Sequence, residues 1–181
     1  MSTTAPVFTI GHSTRTIPEF VEILAGAAVR LVIDVRTVPR SRTNPQYNAD
    51  VLPGELEPHG IGYERIAELG GLRGRSRDIS PNVNAFWNNR SFHNYADYAL
   101  SDAFESGLEK LIALAGETTT AIMCSEAVWW RCHRRIIADY LLVRGHEVTH
   151  LMGVGRLEPA SLTPGAVPAD GHLTYPAPAN G

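Results

Sequence analysis

Lysine is almost missing from this chain: Lys110 stands alone against fifteen arginines. Cysteine is nearly as scarce, with Cys124 and Cys132 the full count in 181 residues. So few cysteines exclude a disulfide framework, and in a cytoplasmic protein, the expected location here, they read as thiols. No apolar run approaches the ~20 residues that span a bilayer, so no membrane partner is expected. The opening Met1-Ser2-Thr3-Thr4 lacks a signal-peptide pattern. Several nucleotide and hydrolase signatures are also absent. No Gly-Lys-Ser/Thr sequence exists to form a triphosphate-cradling loop. The first strand is not followed by Gly-x-Gly-x-x-Gly, and no Gly-x-Ser-x-Gly elbow supports a serine hydrolase. A net charge of −3 excludes attraction of the whole molecule to nucleic acid.

An apolar content of 44% and a charged content of 19% fit a globular chain long enough to bury a core without staples. Val7–Ile10, Leu31–Val35, Thr120–Met123 and Val148–Met152 read as buried strands. Thr16 with Glu19 makes a capping box for a helix carrying Phe20, Ile23 and Leu24. Leu52 to His59 reads as a short helix stopped by Gly60, and Tyr95 to Ala115 as helix with a break near Ser101-Asp102. Ile136, Ile137, Tyr140 and Leu141 form the apolar stripe of a last helix ended by Gly145. Strand, helix, strand order implies parallel pairing. The expected fold is α/β: a single three-layer domain over residues 1–158 with a mainly parallel, Rossmann-like sheet. Five of the twelve prolines fall after position 158, so 159–181 is expected to be an irregular or disordered tail. Residues 70–94, rich in Gly, Arg, Asn and aromatics, are too long for a plain connection and read as a lid, a binding loop or disorder.

The chemistry gathers after two strands. Asp34-Val35-Arg36 follows Leu31–Ile33, and Cys124-Ser125-Glu126 follows Ala121–Met123. Ligands of open α/β sheets bind at that C-terminal edge. His12 and Ser13 hold the matching place after the first strand. Either cysteine alone reads as a small buried residue. With Glu126, His133 and three arginines within twelve residues, the group reads as a site. Cys132 near a helix N-terminus has the dipole, His133, Arg131 and Arg134 to favour its thiolate. Asp34 is left open as a base, an arginine-orienting group, a ribose ligand or a cap. Cys124, Glu126, Asp34 and His133 are the catalytic candidates. His12, Ser13, Arg36, Arg40, Arg42, Trp130, Cys132 and Arg134 are the binding candidates, since arginine's planar fork suits phosphate. Cys124, Cys132, His133 and His12 offer soft donors, but a gap of seven between the cysteines is wider than zinc pairs use. No metal or cofactor is expected.

The ordered set Ile10-Gly11-His12-Ser13, Ile33-Asp34-Val35-Arg36-x-x-Pro39-x-Ser41, Leu69-Gly70-Gly71, Tyr95-x-x-Tyr98, Met123-Cys124-x-Glu126 and Cys132-His133-Arg134 resembles a bacterial and archaeal family known as domain of unknown function 488. The resemblance covers residues 7 to 152 and implies an α/β domain with a pocket built from these motifs. A partial likeness to the rhodanese sulfurtransferases rests on Asp34-Val35-Arg36 and Cys124. Glu126, Trp129 and Trp130 stand where that family has a glycine- and arginine-rich loop, and the Cys-x5-Arg phosphatase pattern fails because position 130 is Trp.

Three functions stay open. The first is a small enzyme acting on a phosphate-bearing ligand such as a nucleotide or nucleic-acid base. The second is a cysteine-dependent sulfurtransferase-like or redox protein. The third is a non-enzymatic nucleic-acid-binding module. An anionic small molecule or a nucleic acid is the expected partner.

Overall fold

The apolar runs become parallel strands of one sheet. A computed structural model describes residues 5–178. Its central sheet has six strands: β1 (Val7–Gly11), β2 (Leu31–Asp34), β3 (Gly62–Arg65), β4 (Thr120–Cys124), β5 (Val148–Gly153) and β6 (Arg156–Pro159), in the order β3-β2-β4-β1-β5-β6. All neighbours pair in parallel except β5 with β6. The expected α/β fold with a mainly parallel sheet is therefore what the chain adopts.

Strand parity explains the layers, because successive side chains leave opposite faces. Ile10, Val32, Ala121, Met123 and Leu151 face one way, onto α1 (Ile17–Gly26) and α2 (Leu52–Leu56) through Phe20, Leu24, Leu52 and Leu56. Val7, Leu31, Ile33, Ile122 and Cys124 face the other way. They meet α3 (Arg90–Tyr98), α4 (Asp102–Glu117) and α5 (Arg134–Val143) through Tyr95, Leu108, Leu111, Ile136 and Tyr140. Each large apolar side chain buried in these layers contributes about 1.5–3 kcal/mol.

Helix starts follow local chemistry. The Thr16–Glu19 capping box is formed. The break between α3 and α4 is the Ser101 cap, whose side chain accepts from the Phe104 amide. Gly60 stops the short helical stretch in a left-handed conformation, φ 72°.

The structure departs from expectation in three places. β3 carries Gly, Tyr, Glu and Arg and is largely exposed, so it has no apolar alternation to announce it. The stretch after residue 158, expected to be irregular, contains the hairpin β7 (Val167–Ala169) and β8 (His172–Thr174). It returns Leu173 and Tyr175, both fully buried, to the core; residues 179–181 lie outside the described residues. Tyr175 donates its hydroxyl to Asp139, and the Thr163 amide donates to the same carboxylate. Third, the 80–92 stretch is anchored at Asn84 and Trp87, which are buried, while residues 80–82 and 88–91 stay exposed. Asn84 is buried, donates to Asp97 and accepts from the Tyr175 amide, while Trp87 stacks on Phe92.

Candidate functional site

The strand ends that carry the sequence motifs share one edge. The His12 and Ser13 amides donate to the Cys124 and Ser125 carbonyls, and the Val35 amide donates to that of Met123. Gly11 is required here, because a Cβ would lie 1.8 Å from the Glu126 carbonyl oxygen as the chain crosses over β1. Above this edge opens a cavity of about 540 Å3. Its lining includes His12, Arg36, Arg40, Cys124, Glu126, Cys132 and His133 from the sequence candidates.

Parity splits the site into two halves. On the α1–α2 side, Asp34 is fully buried and accepts from the Arg36 amide at 3.0 Å and from its Nε and Nη2 at 2.9 and 2.7 Å. The Tyr63 hydroxyl, delivered by β3, donates to the same carboxylate. Arg36 also reaches the Tyr47 carbonyl at 2.7 Å and places Nη1 3.2 Å from His12 Nε2. His12 Nδ1 donates to the Ser13 carbonyl, so Nε2 is the acceptor for Arg36. The imidazole stacks on Tyr47 with centroids 4.2 Å apart. Burial lowers the His12 pKa to about 4, with the Arg36 charge adding to it, so the ring is neutral near pH 7. Ser13 sits in the left-handed region at φ 47°, a strained conformation for a non-glycine.

On the α4–α5 side the two thiols come together. Cys124 and Cys132 are 3% and 6% exposed, and both line the cavity. Cys132 precedes α5, and its sulfur accepts from the Arg134 amide at 3.4 Å. His133 donates Nε2–H to the Val35 carbonyl at 2.7 Å and turns Nδ1 to the Cys132 sulfur at 3.5 Å. Burial alone would raise the Cys132 pKa. The neighbouring Cys124 thiol, which donates to the Glu126 carbonyl at 3.7 Å, together with His133 and Arg134 outweighs burial and holds Cys132 well below the ordinary thiol value. Cys124 moves the other way, pushed up by burial and by the neighbouring Cys132.

Beneath them lies Arg134, fully buried. Its guanidinium donates to Thr9 Oγ1 at 3.1 Å and to the Glu126 carbonyl at 2.7 Å. Its Nε is buried without a partner among the described residues. No carboxylate pairs with it among those residues. Thr9 Oγ1 in turn is hydrogen-bonded to His150 Nδ1 at 2.7 Å, and that ring stacks on Trp129 at 4.7 Å. Burial and the Arg134 charge lower the His150 pKa to about 4.

Other motif residues support this arrangement. A Cβ on Gly71 would meet the His133 ring at 2.5 Å, so glycine lets the loop lie against the imidazole. Tyr95 presents an edge contact to the same ring at 5.0 Å and donates to the Leu69 carbonyl.

Not every sequence candidate reaches the cavity. Asp34 and Arg134 lie beneath it, and Ser13 contributes backbone only. Arg42 lines a neighbouring recess with Arg40 and Ser41. Trp130 is 44% exposed and does not line the cavity. Sequence reasoning passed over Thr9, Tyr47, Tyr63 and His150, which hold the candidates from behind. Only the position of Thr9 on β1, facing the α5 side, could have signalled one of them. Arg131, expected only to favour the Cys132 thiolate, and Asn89, Ser91 and Phe92, from the stretch expected to be a lid, a binding loop or disorder, stand on the cavity wall. Among the described residues no group of three or more His, Cys, Asp or Glu could hold a metal ion, and no helix is long and apolar enough to cross a membrane.

Fold and site together define a parallel α/β domain with a two-cysteine cavity at the C-terminal edge of its sheet. The family model described as "Domain of unknown function DUF488" matches residues 16–141, more than two thirds of the chain, and the chain belongs to that family. No curated protein and no solved structure matches the chain at a significant level.

Proposed function

We propose that this chain is a thiol-dependent enzyme in which Cys132 is the nucleophile. Its substrate is a small ligand bearing a negatively charged, phosphate-like group. The observation that carries this reading is Arg134. A fully buried guanidinium with no carboxylate partner among the described residues needs an anion nearby, and the acidic groups acting on it are the Cys124 and Cys132 thiols, with the Arg134 backbone amide donating to the Cys132 sulfur. The α5 amide, His133 and Arg134 together stabilise a thiolate at Cys132, and the thiolate is the nucleophilic form.

Roles follow from position. Cys124 keeps its proton, donates a hydrogen bond to the Glu126 carbonyl and stands beside the thiolate. His133, its Nδ1 toward the sulfur, takes the proton Cys132 releases. Glu126, an exposed carboxylate at the mouth, accepts or returns protons to the reacting ligand. Arg40 and Arg131, exposed and without carboxylate partners among the described residues, hold the charged group with Arg36 beneath. Asp34 orients Arg36 and does not meet the ligand.

The test is the pH dependence of iodoacetamide alkylation, followed by intact mass. Cys132 should react rapidly at pH 6–7, Cys132→Ser should abolish that reaction, and Cys124→Ser should retain it. Phosphate or a nucleotide should protect. If both thiols react only above pH 8.5, the reading fails.

The neighbouring thiol favours one variant of this chemistry, sulfur transfer. The Cys132 thiolate would attack the outer sulfur of a persulfide donor, forming Cys132–S–SH and releasing the donor as a thiol. A 32 Da adduct on Cys132 after incubation with a persulfide would support it; its absence would remove it.

A further inference from the structure

The arginines are of two kinds. Arg36, Arg73, Arg134 and Arg144 are committed to protein carboxylates, carbonyls or aromatic faces. Arg75, Arg77 and Arg90 are exposed and pair with no carboxylate among the described residues. All three line a second cavity of about 1070 Å3, twice the cysteine cavity. The one carboxylate on its lining, Asp97, is 6% exposed, accepts from Asn84 and lies 3.7 Å from His93. The three guanidiniums thus face a space with no free acid to oppose a second anion.

The two cavities share a wall. Around the start of α3, Asn89, Ser91 and Phe92 line the cysteine cavity, while Asn88, Arg90 and His93 line the arginine cavity. A chain-like ligand crossing this wall enters both. The cysteine cavity, at about 540 Å3, suits one small molecule. Three surplus guanidiniums outside it exceed what a single phosphate group needs. Phe92, backed by Trp87 at 4.9 Å, supplies an aromatic face on the wall where a base can stack. The thiols lie on the cavity floor, out of reach of a base held inside a duplex.

We propose that the substrate is a single-stranded nucleic acid. One nucleotide enters the cysteine cavity, and the backbone phosphates of its neighbours lie on Arg75, Arg77 and Arg90. This rests on the thiolate reading above and names its substrate class. A net charge of −3 is no obstacle, because Arg40, Arg131, Arg75, Arg77 and Arg90 line the two cavities that the strand would cross.

Fluorescence anisotropy of labelled twelve-residue thymidylate and uridylate strands, between 50 and 200 mM salt, tests this. Single strands lose binding with a log–log salt slope of about −0.7 per phosphate contact. The Arg75→Ala, Arg77→Ala, Arg90→Ala triple variant, its fold checked by circular dichroism, should therefore have a slope shallower by about 2. The bound strand should also slow alkylation of Cys132 in the wild-type protein. Binding of a duplex as tightly as a single strand would overturn the proposal. So would an unchanged slope in the triple variant, or protection of Cys132 by a mononucleotide and not by a strand. Rapid alkylation near pH 7 that neither strand slows overturns the substrate and leaves the thiolate. Slow alkylation in the free protein overturns the thiolate reading itself, and with it this substrate assignment.

Discussion

Two buried arginines stand at the same sheet edge, each two residues after an acidic group, and they are served differently. Arg36 follows Asp34 and is met by both carboxylate oxygens, the Tyr47 carbonyl and His12. Arg134 follows Cys132 and finds a hydroxyl, a carbonyl and an unpaired Nε. The first pair is charge-balanced by a permanent anion and is further locked by Tyr63. The second has no such carboxylate among the described residues; in the function proposed above, it is balanced when Cys132 gives up its proton. On that proposal one half of the site stays fixed, and the other couples a buried cation to a group that can react.

The largest expected effect separates these halves directly. Arg36→Met leaves the Asp34 carboxylate buried without its cation, held only by Tyr63 and the residue-36 amide, and should cost about 3–5 kcal/mol in urea denaturation. Arg134→Met should cost clearly less, because Cys132 escapes the same penalty by taking up a proton. The Arg134 variant should instead lose alkylation at pH 7 by at least about tenfold, one pKa unit's worth of thiolate. Equal destabilisation of the two variants would break the comparison.

A second test uses the histidine in each half. His12 and His150 both have pKa values lowered to about 4 from 6.5. Between those limits the unfolded chain binds protons that the folded chain refuses. Stability should therefore fall as pH drops through 6.5 toward 4 and lose no more below it, by up to roughly 3 kcal/mol per histidine. His12→Gln and His150→Gln should each flatten part of that slope. An unchanged slope in either variant would mean that its histidine already carries charge in the fold.

Smaller effects sharpen the picture. Tyr63→Phe removes a donor to the Asp34 carboxylate and should cost about 1.5–3 kcal/mol. Cys124→Ala should cost about 1 kcal/mol and move the alkylation midpoint of Cys132 to higher pH, since the neighbouring thiol helps hold the Cys132 value down. Midpoints that coincide would show the two sulfurs to be independent. Smallest of all, Trp130→Ala and Arg42→Ala lie outside the cysteine cavity and should stay within about 0.5 kcal/mol, with Cys132 labelling unchanged.

Much of this architecture is written locally. Apolar runs in β1, β2, β4 and β5, the Thr16 capping box and the Gly60 stop each act over a few neighbours, and each is legible from residue type and spacing. Parity places Asp34 on the α1–α2 face and Cys124 on the α4–α5 face once the strands are recognised. The Asp34–Arg36 bridge is also short-range, a contact two residues apart. β3 and the β7–β8 hairpin were not legible, because an exposed polar edge strand and a proline-bearing hairpin carry no periodic apolar signal.

By itself, then, the sequence determined the fold class, the sheet edge and the identity of most side chains gathered there. The tertiary structure decided which of them line the cavity, which lie beneath it and which partners each one has. Cys124 and Cys132 are separated by a loop that folds back over Gly11, and only that return brings the sulfurs together. His133 acquires its tautomer from the Val35 carbonyl, 98 positions away. Arg134 has no carboxylate partner among the described residues because its surroundings are assembled from β1, β4 and β5. Burial and charge compensation depend on the whole packed environment, and no local pattern of residues carries that information.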